Sequence, residues 1–388
     1  MYSNLKDNKI FGYGLSKTKS KKNIDRSFLS KETNELIDYN IDVDHFLKSL
    51  LEYKNQKYTL KVFGGSTSFC AEVDQKDAFF EKSLVKTSVL KNIYYKNYSI
   101  PGHNLLHDYH KLKNFAVTSY DNSESIFVFN YGWNEEFINS ICPLSIKNQR
   151  PLNCIETNFI YQKNIFLSSL CKKYYLAKII KKFTQKRFAK LMNFYGTERW
   201  LNFTNNNYIN YWLKNLEKIL KLIINKKVII INNPGLAHLS DNTNDINYII
   251  ENSRLDKKYH LYQSLCLEIN TIVNNNIATF FDLPIFDINS EFKKIDANKR
   301  LNYFIDEIHL SKTGHEFASK IIEENIINLD LEKIKKIQKK DFSILKSKIV
   351  SDIQFILDIA NREIYKNYSL SEKIYSIPKD RYPSYRFK

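Results

Sequence analysis

Three stretches of the chain switch from mixed polar sequence to continuous apolar runs. YTLKVF, from Tyr58 to Phe63, ends in Gly64-Gly65, the pattern of a buried strand feeding a sharp turn. SIFVFNYG over Ser125–Gly132 and KKVIIINNPG over Lys226–Gly235 have the same character, expected of parallel strands covered on both faces. IATFFDLPIFDI, Ile277–Ile288, is a weaker strand of the same kind. Between these runs the apolar positions take helical spacing: His103–Phe115, with Leu105, Leu112 and Phe115, and Lys312–Ile327, with Phe317, Ile321 and Ile322. Strands alternating with helices over residues 58–327 predict a doubly wound, three-layer α/β/α domain on a mainly parallel sheet.

Three segments stand apart from that pattern. Residues 1–57 are a polar N-terminal extension with one expected helix, Asp44–Tyr53, whose Phe46, Leu47, Leu50 and Leu51 share a side. Roughly ninety residues separate Gly132 from Lys226, far more than a crossover needs, which predicts a helical insertion at about 139–222. Its centre, Phe166–Met192, sets Leu167, Leu170, Tyr174, Ile180, Phe183 and Leu191 against a face of lysines that includes Lys178, Lys181, Lys182 and Lys186. Such a basic amphipathic helix is compatible with a cap over a cleft, an interfacial anchor, or a solvated helix packing one face on the body. Residues 328–388 read as a helical C-terminal extension, two helices and then an aromatic, basic tail.

Composition narrows the classes. With 388 residues, 43% hydrophobic and 14% aromatic, the chain can bury a sizeable core and is not a disordered polymer. The net charge of +17 invites a polyanion partner. Lysine outnumbers arginine, however, and Ile, Asn, Tyr and Lys are enriched together, a bias that supplies charge without such a partner. No RRM, KH or zinc-finger signature is present, so no specific nucleic acid is expected, while peripheral contact with anionic surfaces stays open. Cys70, Cys142, Cys154, Cys171 and Cys266 form no CxxC pair, which argues against a disulfide framework or zinc ribbon and for a reducing compartment. Neither a secretory signal nor an apolar run of about 18 residues is seen, so a cytoplasmic location is expected. Composition is silent on oligomeric state.

Two places carry candidate chemistry. Ser66 follows Gly64-Gly65 at the carboxyl end of the first apolar strand, where a tight turn would expose its hydroxyl at the sheet edge. In FIDEIHLSKTGHEF, Asp306 precedes His309 by three residues, a spacing that lets a carboxylate orient an imidazole in one cleft. His315 is a second histidine of that segment, with a structural role expected on its helix. His103, His107 and His110 fall near one helical face, yet no HExxH or cysteine ligand accompanies them, so no metal or cofactor is expected.

The segments KVFGGSTSF, NYSIPGHNLL, FVFNYGWNEE and FIDEIHLSKTGHEFA, in that order, resemble the sequence blocks of the SGNH/GDSL hydrolase superfamily. The resemblance implies a flavodoxin-like fold with Ser66 as nucleophile, His309 as general base and Asp306 as its orienter. It further implies an oxyanion hole formed by the backbone N–H groups of Ser66 and Gly102 and the side-chain amide of Asn134. GGSTS stands where GDSL is commoner, and Glu135 where the third block commonly has Asp; neither change removes a triad member. His103, Trp133 and Glu135 are the expected substrate-binding residues, with Tyr131 and Trp133 as stacking surfaces. The implied activity is hydrolysis of a short acyl ester, such as acetyl, on a carbohydrate or small conjugate. Acyl transfer by the same triad, and a non-catalytic glycan- or polyanion-binding module, are the alternatives.

Overall fold

A computed structural model of the chain describes residues 5–8, 12–15, 18–24, 35–41, 57–70, 73, 77–100, 103–113, 124–130, 206–253 and 257–367. Two short antiparallel pairs come first, β1 (Leu5–Asn8) with β2 (Gly12–Leu15) and β3 (Thr18–Ile24) with β4 (Glu35–Ile41). The helix expected over Asp44–Tyr53 lies outside the described residues, as does the basic helix Phe166–Met192.

The body is built on five strands: β5 (Tyr58–Gly64), β6 (Ile93–Asn97), β7 (Glu124–Asn130), β8 (Lys227–Asn232) and β9 (Ile285–Asp287). They lie side by side as β6-β5-β7-β8-β9 with every pairing parallel. Counted along the chain, the order is the flavodoxin-like 2-1-3-4-5. Side chains alternate across the sheet and feed two cores. Leu60, Val62, Ile126, Val128, Ile229 and Ile231 enter one; Phe63, Phe127, Phe129, Val228 and Ile230 enter the other.

Helices cover each face, which makes three layers. On the first side, Phe79 and Phe80 of α2 (Phe79–Lys91) pack with Ala318, Ile321, Ile322 and Ile326 of α9 (Lys312–Asn328), and Ile249 of α5 (Thr243–Asn252) joins the same core. On the other side lie α3 (Leu105–Lys111), α4 (Asn206–Leu222), α6 (Lys257–Phe281) and α10 (Phe342–Asn367). Trp212, Leu213, Leu216 and Ile219 place α4, the last part of the expected insertion, within the core.

Three local expectations change. The apolar run Ile277–Ile288 is not one strand: α6 continues to Phe281, Asp282 turns left-handed at φ 57°, Pro284 follows, and β9 is confined to Ile285–Asp287. A left-handed residue and then proline end a helix, because the ladder cannot continue through either. The helix expected over His103–Phe115 begins at Leu105, after Asn104 caps it, and the α-helix closes at Lys111. The C-terminal segment holds one described helix, not two. Residues 330–337 are taken up by a turn at Asp330 and by pairing with the start of β8, where Asn225 N donates to Ile337 O (2.7 Å) and Ile337 N to Lys226 O (2.9 Å). Those backbone groups are spent across the sheet edge and cannot close helical turns. Among the described residues no helix is long and apolar enough to cross a membrane.

Candidate active site

β5 delivers Ser66 to the carboxyl edge of the sheet, where open α/β folds place their ligands. Gly64 stands in register with Asn130 of β7. A Cβ on Gly64 would come within 2.6 Å of the Asn130 carbonyl and meet the Ser68 hydroxyl, so only glycine fits there. One helical turn follows, α1 (Ser66–Phe69), held by Phe69 N to Gly65 O (3.1 Å) and Cys70 N to Ser66 O (2.9 Å). Cys70 then turns left-handed, and Asn97 Nδ2 donates to Ser68 O (2.9 Å). The nucleophile turn is thereby fixed to β6 as well as to β5.

Asp306 and His309 come from the loop between the short helices α7 (Ile288–Lys293) and α8 (Ala297–Arg300) and the long α9. Ile305 N donates to His309 O (2.9 Å), closing the chain around the intervening residues. Inside that loop Asp306 Oδ1 accepts the backbone N–H groups of Ile308 (2.9 Å) and His309 (2.7 Å). Its other oxygen, Oδ2, lies 2.7 Å from His309 Nδ1. His309 Nε2 lies 2.8 Å from Ser66 Oγ, a contact across 243 residues of sequence. The loop is pinned from behind: Ser311 N donates to Tyr303 O (2.9 Å), and Ser311 Oγ caps α9 by accepting from Gly314 N (3.2 Å).

Asp306 and His309 are both buried. Burial alone would push the Asp306 carboxyl up, but the facing His309 ring and the two backbone donors outweigh it and hold the group below its ordinary 3.8. An ionised Asp306 can only accept hydrogen bonds, so the network assigns the proton to His309 Nδ1 and leaves the Nε2 lone pair facing the Ser66 hydroxyl.

Of the other expected site residues, Gly102, Trp133, Asn134 and Glu135 lie outside the described residues, as does Tyr131. The segments that lead to them end at the nucleophile turn. Ile100 N donates to Gly64 O (3.3 Å), and β7 stops at Asn130 beside Gly64. His103 is buried with its ring stacked on His107, centroids 4.3 Å apart. His107 is engaged in a capping box with Asn104, its Nδ1 lying 2.7 Å from Asn104 Oδ1, and His110 meets Tyr109 edge-on. His315 is buried against the Phe79 ring. Arg300 and Asp241, which pair beside the Asp306 loop, carry no local sequence signal, since 59 residues separate them.

No protein-family model matches the chain, and no curated protein does. Its structure is similar to several solved structures. One is a lipolytic protein of the G-D-S-L family from Veillonella parvula, at 14% identity, TM-score 0.40, over 70% of this chain and 100% of that one. A lipase/acylhydrolase from Enterococcus faecalis is similar at 12% identity, TM-score 0.37, over 73% and 100%. An acetylxylan esterase from Geobacillus stearothermophilus is similar at 10% identity, TM-score 0.37, over 72% and 97%.

Proposed function

We propose that the protein is a serine esterase that works through an acyl-enzyme. The observation that carries this reading is the unbroken line from Ser66 Oγ to His309 Nε2 (2.8 Å) and from His309 Nδ1 to Asp306 Oδ2 (2.7 Å). Ser66 attacks the ester carbonyl while its proton passes to Nε2; the imidazolium so formed is stabilised by the ionised Asp306 and returns the proton to the leaving alcohol. Water then repeats the sequence on the acyl-enzyme. The developing oxyanion would be met by the N–H groups of Ser66 and Gly102 and by the Asn134 amide, the assignment the sequence resemblance implies. The same resemblance favours a short acyl group, acetyl foremost, on a carbohydrate or similar small conjugate.

The test is a panel of p-nitrophenyl esters of graded chain length, run with wild type and Ser66→Ala. Wild type should prefer the shortest acyl chains and be labelled by a fluorophosphonate, while Ser66→Ala loses the label and about 10⁴-fold or more in turnover. Covalent labelling retained in Ser66→Ala would end the assignment.

A further inference from the structure

Arg300 closes α8 ahead of the Asp306 loop and is only 2% exposed despite its permanent charge. Its Nη2 donates to Asp241 Oδ1 at 2.8 Å. Asp241 belongs to the loop that leaves the carboxyl end of β8, and its Oδ2 accepts the His238 backbone N–H at 2.8 Å. The same loop makes a second bond further along: Leu236 N donates to Glu307 O at 3.1 Å, one residue from Asp306. The segment from Arg300 to Glu307 is therefore gripped at both ends by one neighbouring loop.

The chemistry of the grip suits placement better than stability. Two imidazoles stand beside it: His260 Nε2 is 3.8 Å from Asp241 Oδ2, and His238 is buried next to both. Burial and the charge of Arg300 keep these rings neutral; His238 is pushed down to about 2, and His260 is lowered although Asp241 attracts its charged form. Asp241 is thus answered by Arg300 and not by the rings. Among the described residues Arg300 finds no hydrogen-bond partner for Nε or Nη1, a poor return for burying a guanidinium. What the pair does fix is the distance between the β8 loop and the chain entering the Asp306 turn.

We propose that Asp241 and Arg300 are positioning residues whose buried pair, together with the Leu236–Glu307 bond, holds the Asp306–His309 loop in reach of Ser66. The proposal rests on the esterase reading of that site. A displacement of about 1 Å from a change remote from the chemistry can cost about 100-fold in rate, which sets the scale.

Three variants test it: Asp241→Asn, which keeps the shape and an acceptor; Arg300→Met, which removes the donors; and Arg300→Lys, which restores the charge without the fork. Each is followed by kcat and KM on an ester that wild type accepts, by thermal unfolding, and by the low-field proton resonance of the His309–Asp306 hydrogen bond, identified through its loss in Asp306→Asn. Asp241→Asn and Arg300→Met are expected to lower kcat by about 10–100-fold with KM within about twofold, and to shift or broaden the resonance, with partial recovery in Arg300→Lys. Should Arg300→Met not fold, Asp241→Asn and Arg300→Lys decide. Folded variants with wild-type kcat and resonance overturn the proposal, as does a loss of kcat that merely tracks the unfolded fraction. If wild type turns over no ester and Ser66 resists labelling, the esterase reading falls, and an unmoved resonance in the variants separately refutes the positioning role.

Discussion

Exchanging Asp306 for asparagine keeps the side chain's size and removes its charge, and the hydrogen bonds around it dictate the outcome. The carboxylate accepts three of them: two at Oδ1, from Ile308 N (2.9 Å) and His309 N (2.7 Å), and one at Oδ2, 2.7 Å from His309 Nδ1. An amide has one oxygen to serve both sides. Turned so that its NH2 meets the backbone, it would set donor against two donors. Turned the other way, it keeps the loop intact but presents NH2 to His309 Nδ1, which drives the ring proton to Nε2 and makes that nitrogen a donor to Ser66. The second arrangement costs the fold less, so the variant should fold with the wrong tautomer. Turnover is expected to fall by about 10⁴-fold, equivalent to ~5 kcal/mol of transition-state stabilisation. Hydrolysis of p-nitrophenyl acetate at neutral pH, normalised to folded protein, measures it. Stability provides a second reading. Because the folded carboxyl is held below 3.8, its contribution is complete above that value and is lost as pH falls through the folded pKa. The stability gap between wild type and Asp306→Asn should therefore narrow on acidification. A folded variant within tenfold of wild-type turnover would refute the tautomer argument.

Asn134→Ala should lower kcat by an amount worth about 2.7–4 kcal/mol with little change in KM, measured on the same esters; an unchanged kcat removes Asn134 from the oxyanion hole. Gly314→Ala should destabilise the fold by ~1–3 kcal/mol in urea unfolding, since its Cβ would meet the Tyr303 carbonyl that anchors Ser311. In the buried ion pair of Lys111 with Asp108, burial outweighs the attraction of Lys111 and pushes the Asp108 carboxyl up to about 6. Lys111→Met alone should cost ~3–5 kcal/mol, whereas Lys111→Met with Asp108→Leu should be neutral or stabilising by ~1–4 kcal/mol at pH 7. The stability linked to protonated Asp108 is present below its ordinary 3.8 and lost as pH rises through about 6, so the advantage of the double variant should grow over that window.

What the sequence displayed and what it concealed divide along physical lines. β5, β7 and β8 are covered on both faces, so their apolar runs are unbroken and easily read. β6 is an edge strand whose IYYKN, despite its β-favouring Ile-Tyr-Tyr, is short, partly buried and without a continuous apolar run to mark it. The Ile277–Ile288 run misled because a helix end and a short edge strand share one apolar stretch. The segments whose side chains meet as Ser66, His309 and Asp306 are readable because each is a short motif with its own turn signal. The Asp241–Arg300 pair is not, because its meaning arises only when two distant loops meet at the sheet edge.

The C-terminal helix α10 has a consequence for how the chain is made. Its Leu345, Ile349, Ile353 and Leu357 pack into the same core as Leu216 and Ile219 of α4 and Ile269 and Val273 of α6. Until Leu357 has left the ribosome, that core lacks the cover α10 provides. At about 5–20 residues per second, the interval from the completion of β8 is on the order of ten seconds. Over that time the nascent chain already carries Ser66 and the strands up to β8 but lacks the cover of α10, a state in which exposed apolar surface favours aggregation. The Ser66–His309–Asp306 arrangement and the cover for this core should then be completed together, late in synthesis, and a chain released near residue 328 should expose the apolar surface that α10 would have covered.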